Sequence, residues 1–145
     1  MKKLTIAALA LVMLTACGPK VTTGHAETKI ENHGAEEIVK VDVTLEDGKV
    51  TEITIDETYN GQTTTKRTLG ADYGMKGTSA GIGRINGGAE WNEQADYLQN
   101  YIIENGIEAV TLDDSGYPTG DLTAGCTINL TNIVKTINDA IAAAK

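Results

Sequence analysis

Ile38-Val39-Lys40-Val41-Asp42-Val43-Thr44-Leu45-Glu46-Asp47-Gly48-Lys49-Val50-Thr51-Glu52-Ile53-Thr54-Ile55 is the stretch on which the reading of the fold turns. Val39, Val41, Val43 and Leu45 alternate with Lys40, Asp42, Thr44 and Glu46, the period of a half-buried strand. Asp47-Gly48 turns the chain, and Thr51, Ile53 and Ile55 alternate again. A two-residue loop would set Asp42 against Ile53. A three-residue loop, Glu46-Asp47-Gly48 with a left-handed glycine bulge, sets Val41 against Ile53 and Val39 against Ile55. Register follows the apolar face, so the longer loop is the expected one.

Outward from the hairpin, two helices are expected. In residues 89–105, Trp91, Ala95, Leu98 and Ile102 share one stripe; Asn86 or Gly88 opens the helix and Gly106 ends it. In residues 131–144, Ile133, Val134, Ile137, Ala140, Ile141 and Ala144 repeat at helical spacing, with Thr131 or Asn132 as cap. Together with the hairpin these predict an α+β domain, a curved antiparallel sheet with helices packed on one face. Further strands are expected at Ile107–Leu112 and at Leu122–Leu130. In the second, Leu122, Ala124, Cys126, Ile128 and Leu130 form the apolar row, and Thr127 points to the polar face. Residues 58–68 read as a loop or weak edge strand, and the glycines from Gly70 to Gly88 as a loop before a helix. Gly81-Ile82-Gly83-Arg84-Ile85-Asn86-Gly87 departs from a dinucleotide fingerprint, and no strong strand precedes it.

The amino-terminal end has a different character. Lys2 and Lys3 precede an apolar run, Leu4 to Leu14, that meets Leu14-Thr15-Ala16-Cys17. Charge, a short apolar core and small residues before a cysteine predict a lipoprotein signal over 1–16, cut before Cys17. The run falls short of the roughly 20 residues that span a bilayer. Acyl chains on Cys17 would supply the anchor instead, holding the protein on the extracytoplasmic face of the cell membrane. Residues 17–34 are polar and without apolar period, and are expected to form a lipid-anchored flexible tether ahead of a domain over 35–145.

Loss of Lys2 and Lys3 would leave 10 of the 12 basic residues against 20 acidic ones, which argues against nucleic acid as a partner. With Cys17 acylated, Cys126 is the one remaining thiol, so no internal disulfide is expected; as a buried apolar residue it is not a reactive one. Both histidines, His25 and His33, fall in the expected tether. The domain proper therefore offers no Ser-His-Asp, Cys-His or histidine-zinc chemistry, and no metal site is expected. Asp113-Asp114-Ser115-Gly116 lacks the ligand alternation of a calcium loop and reads as a turn. Other acidic residues read mostly as solvated faces. Thr127 lies a few residues before the last helix, whose first N–H groups make a phosphate-friendly environment.

At this point the chain resembles a known family. Asp121-Leu122-Thr123-Ala124-Gly125-Cys126-Thr127-Ile128 resembles the covalent flavin-attachment motif of FMN-binding domains. Such domains occur in subunits of ion-pumping quinone reductases and ferredoxin oxidoreductases, and in extracellular electron-transfer lipoproteins. The family pattern runs Asp, two variable residues, Ser-Gly-Ala-Thr, a variable residue, then Ser or Thr, and its flavin-bearing Thr falls on Thr127. Asp121, Gly125 and Thr127 match; Ala124, Cys126 and Asn129 depart. Asp47-Gly48-Lys49-Val50, the segment from Leu69 to Lys76, and Glu90 to Asp96 are also similar to small lipoproteins carrying these domains, so the likeness covers most of residues 35–143.

The resemblance implies FMN as cofactor, covalent or noncovalent, with Thr127, Gly125 and Asp121 as the motif residues. It also implies two partners, a flavin transferase that uses FAD as donor and a membrane redox enzyme. The role implied is that of a redox carrier and not an enzyme. The surplus of acidic charge would disfavour an anionic reduced flavin and lower its potential. Two other readings stand beside it: a surface binding or structural lipoprotein without cofactor, and a signal peptide that also serves as a pheromone source.

Overall fold

The computed structural model describes residues 18–145; the expected signal segment and Cys17 lie outside the described residues. Three antiparallel strands, β1 (Val21–Asn32), β2 (Ala35–Glu46) and β3 (Lys49–Glu57), form one sheet in the order β1-β2-β3. Four helices follow: α1 (Lys66–Leu69), α2 (Lys76–Ile82), α3 (Trp91–Asn105) and α4 (Thr131–Ala143). Helix α4 lies across β1 and β2, and α3 lies along β3. The α+β architecture with helices on one face of a curved antiparallel sheet is as expected from the sequence.

The tether is where the expectation fails. Residues 21–32 pair along their whole length with β2, from Val21 opposite Glu46 to Asn32 opposite Ala35. The domain thus starts at Val21, not at residue 35. The strand carries no large apolar period because α4 comes too close for one. Its inward residues are Thr22, Gly24, Ala26 and Thr28. A Cβ on Gly24 would collide with the Ala140 carbonyl oxygen and with Ala144, and Thr28 Oγ1 accepts a 2.7 Å hydrogen bond from Thr136 Oγ1. His25, placed on the outer face, pairs with Asp42 at 2.8 Å.

The hairpin register also differs. Glu46 faces Lys49 across a two-residue turn in which Asp47 (φ 48°) and Gly48 (φ 82°) are both left-handed. An irregularity after Thr44 then skips Thr51, so that Leu45 faces Val50, Val43 faces Ile53 and Val41 faces Ile55. Apolar residues still meet apolar residues, through a bulge within the strand instead of in the turn. These side chains, with Leu98 and Ile102 of α3 and Ile133 and Ile137 of α4, make the core.

The two later strands are absent. Residues 107–109 form a 3-10 turn followed by a single bridge, Leu112 to Pro118. Gly120–Ala124 is another 3-10 turn, and the segment behind it reaches α4 without pairing. The expected alternation does not hold in burial: Leu122, Cys126 and Leu130 are enclosed, but Ala124 of the expected apolar row is exposed and Thr127 of the expected polar face is buried. Helix α3 is capped at Glu90, whose capping box with Glu93 replaces the Asn86 or Gly88 cap expected. The N-cap of α4 is Leu130, not Thr131 or Asn132.

Candidate functional site

The inward row of β2 reads Glu37, Val39, Val41, Val43, Leu45, and that of β3 ends Ile53, Ile55, Glu57. Both glutamates are therefore in phase with the core, and both are buried, 2% and 6% exposed. Lys66, the first residue of α1, is 4% exposed and reaches them: its Nζ donates to Glu57 Oε1 at 2.6 Å and to Glu37 Oε2 at 3.2 Å. Asn32 Nδ2 and the Asn60 backbone N–H also donate to Glu37, at 3.0 and 2.9 Å. The ammonium lies 5.5 Å from the centre of the Tyr73 ring.

Burial by itself would raise the Glu37 carboxyl, but the hydrogen bonds from Asn32 and Asn60, with the Glu57 and Lys66 contacts, hold it at about 2. Glu57 goes the other way: burial raises it, and the attraction of Lys66 does not offset that. Lys66 is itself desolvated, yet the charge of Glu57 keeps its ammonium above the usual range.

Beside this cluster opens a cleft of about 450 Å³ at the end of the sheet where β1 and β2 meet. Glu57, Lys66 and Tyr73 line one side of it. Trp91, Gln94 and Thr127 line another, and Ile128, Asn132 and Ile133 bring the start of α4 to it. Exposed Ile82 and Tyr117 lie at its margin. The volume is within the range of roughly 300–1,000 Å³ usual for small-molecule sites, which combine apolar walls with a few placed polar groups.

Of the residues expected at the site, Thr127 is on the cleft and Asp121 is not. Asp121 is exposed in the 3-10 turn and is absent from the cleft lining. Gly125 has a packing role: a Cβ there would run into the Tyr97 ring. Thr127 is 6% exposed, and its hydroxyl does not stand on an open polar strand face as expected. Its N–H donates to Gln94 Oε1 at 2.8 Å and its Oγ1 to the same oxygen at 3.2 Å. Gln94 Nε2 donates in turn to Ala89 O at 3.2 Å. Cys126 is fully buried, and burial pushes its thiol up to about 12, in line with the expectation of an unreactive apolar residue. Asp113 Oδ1 accepts from the N–H groups of Ser115 and Tyr117, both at 2.9 Å, which closes the turn that was read there.

Glu37, Glu57, Lys66 and Gln94 escaped the sequence reading. Three of them left a signal. Glu37 and Glu57 continue the alternation of the valines and isoleucines, and Gln94 falls three residues after Trp91 and four before Leu98, on the buried stripe of α3. A polar residue in phase with a core stripe is buried at a cost, and function is the common reason it is kept. Lys66 left no comparable signal, because its burial depends on a loop that brings α1 back over the strand ends.

No family model matches this chain, and no curated protein matches it. In structure it is similar to a protein of Clostridium thermocellum determined by solution NMR as a structural-genomics target. The two are 22% identical, with a TM-score of 0.53, and the match covers 85% of this chain and 90% of that one. The likeness is one of fold. Among the described residues no helix is long and apolar enough to cross a membrane, and no group of three or more His, Cys, Asp or Glu side chains is arranged to hold a metal ion.

Proposed function

We propose that this protein is a lipid-anchored flavin-binding domain that carries electrons between a membrane redox enzyme and an external acceptor, without turnover of its own. The observation that carries the reading is the position of Thr127: the motif threonine lines a cleft of about 450 Å³ next to the first turn of α4. A planar ring finds apolar walls there in Ile128, Ile133 and Trp91. Thr131 N–H is taken by Asn129 Oδ1, and the following first-turn N–H groups of α4, at Asn132 and Ile133 on the cleft, would offer a positive dipole end to a phosphate. Attachment to Thr127 would form a bond from Oγ1 to the flavin-side phosphorus of FAD as the pyrophosphate P–O bond breaks; AMP leaves and takes up the hydroxyl proton through solvent. Attachment would turn the hydroxyl from Gln94 toward the cleft, giving up one hydrogen bond worth about 1 kcal/mol, while the Thr127 N–H keeps Gln94 Oε1 occupied.

The anchor fits the same arrangement. Val21 starts β1 only four residues beyond Cys17, so acylation of Cys17 would hold the domain close to the lipid surface. The cleft is bordered by Ile30 and Asn32 at the other end of that strand. At about 3.3 Å per residue it lies roughly 30 Å along β1 from the anchored end. An acceptor outside the cell would meet the cleft and not the anchored end.

A second reading, a binding lipoprotein without covalent cofactor, is favoured by the engagement of the Thr127 hydroxyl with Gln94. Intact mass under denaturing conditions separates the two. Protein co-expressed with a flavin transferase gains the mass of one FMN less one water, and Thr127→Val does not. Mass of the bare chain ends the covalent form, and a flat fluorescence titration with FMN ends the flavin reading altogether.

A further inference from the structure

The cleft holds an unusual wall. Glu57 and Lys66 stand 2.6 Å apart, both nearly sealed from bulk water, and both border the cleft. A lone buried lysine in a ligand cleft would suggest an anion. Here that charge is already taken: Lys66 serves two carboxyls, Glu57 and Glu37, so the cluster has one more acid than base. Tyr73, on the same wall, adds a phenol and no positive charge. Glu31 and His33, from the end of β1 and its turn, also border the cleft, and neither adds a fixed cation at this wall. A phosphate or carboxylate brought there would meet a cluster that already holds two carboxyls to one ammonium, and so would be repelled.

What the wall does offer is an acceptor beside a donor. A carboxyl has about four acceptor sites, and Glu57 Oε1 uses one of its on Lys66. Even with a contact to Glu37, sites remain. An ammonium has three donors; Lys66 commits one to each glutamate, which leaves one on the side of Tyr73, itself a lining residue. The complementary ligand edge is uncharged and carries an N–H next to a carbonyl, as in the imide of a heterocyclic ring. We propose that the Glu57–Lys66 pair reads such an imide edge, the ring N–H donating to the Glu57 carboxyl and the ring carbonyl accepting from Lys66. The proposal rests on the flavin reading and orients the ring: imide edge toward β3 and α1, with the ribityl phosphate on the central ring reaching toward Thr127 and α4. It also accounts for two glutamates kept in core phase at a cost in stability.

The test compares two probes on the intact domain, lumiflavin and lumiflavin methylated on its imide nitrogen, by fluorescence titration. Both lack a phosphate, so attachment at Thr127 plays no part. Methylation removes the donor and leaves a buried carboxyl facing a methyl group, so the methylated probe is expected to bind about 10- to 100-fold more weakly. In Glu57→Leu, which leaves Lys66 paired one-to-one with Glu37, that discrimination disappears. Equal affinities for the two probes in the unaltered protein overturn the inference while sparing the flavin reading, and no binding of either probe also overturns the inference, the flavin reading being decided separately by the FMN titration and the intact mass. The comparison within the unaltered protein stands even if the variant fails to fold.

Discussion

The two ends of one sheet follow opposite rules. Toward Leu45 and Val50 the inward row is aliphatic, closed by α3 and α4 with Leu98, Ile102 and Ile137 fully enclosed. Toward Glu37 and Glu57 the same row, on the same strands and in the same phase, turns charged and opens on a cleft. The first end gains stability from every residue it buries. The second loses some, since desolvating two carboxyls and an ammonium costs more than packed aliphatic groups would. That folding alone does not favour such an arrangement is the ground for proposing the charged end as the working one.

The largest effect is expected from unbalancing the cluster. Lys66→Met leaves two carboxyls facing each other without their cation and should cost about 3–5 kcal/mol in urea denaturation. Replacing all three together, Glu37→Leu, Glu57→Leu and Lys66→Met, should recover most of that loss or exceed the parent in stability, while the cleft loses its selectivity. A triple variant as unstable as the single one would mean that the cluster supports the fold.

Next in size is a test on β1. Gly24→Ala places a methyl group against the Ala140 carbonyl, a backbone group that cannot swing aside. A cost of about 1–3 kcal/mol is expected. A silent substitution would return residues 21–32 to the role of a tether.

These residues also show what the sequence made legible. The hairpin and both long helices were visible because their apolar residues repeat at clean periods, from Val39 to Ile55, Trp91 to Ile102 and Ile133 to Ala144. Strand β1 was hidden because its inward positions are Thr22, Gly24, Ala26 and Thr28, residues chosen for their small size beneath α4 and indistinguishable in composition from a linker. The 122–130 segment misled in the opposite sense: its residues alternate like a strand, but the chain there buries Leu122, Cys126, Thr127 and Leu130 and leaves Ala124 exposed. Of the motif residues, Thr127 lies on the cleft, whereas Gly125 packs against Tyr97 and Asp121 lies outside the lining. Glu37, Glu57 and Gln94 were readable in principle, as polar residues in core phase. Lys66 was not, since only the tertiary path returns it to the strand ends.

A smaller effect divides the two glutamates by pH. The folded-state value of Glu37 is depressed from its ordinary 4.5 to about 2. Its contribution to stability is therefore complete above the ordinary value and fades as pH falls toward 2. Glu57 is raised, so its contribution is present below the ordinary carboxylate value and is lost as pH rises through the folded value. Glu57→Gln should flatten the decline on the upper side of the stability profile and leave the acid limb, set by Glu37, in place. Denaturant midpoints across the acid range decide it; a variant that loses the acid limb instead would reverse the assignment.

The smallest expected signal comes from Cys126. With its thiol pushed up to about 12 and no exposed surface, it should alkylate with iodoacetamide near pH 8 only after unfolding. Rapid modification of the native protein would show that the segment carrying Thr127 opens readily.

The contrast between the two ends can be read residue by residue in amide NMR spectra of the ¹⁵N-labelled domain titrated with FMN. Saturable shifts are expected at Thr127, Gln94, Glu57, Lys66 and Tyr73, with Leu45, Val50 and Ile102 unmoved. Spectra that stay unchanged at millimolar FMN, or shifts gathered at the aliphatic end, would contradict the assignment of the charged end as a flavin site.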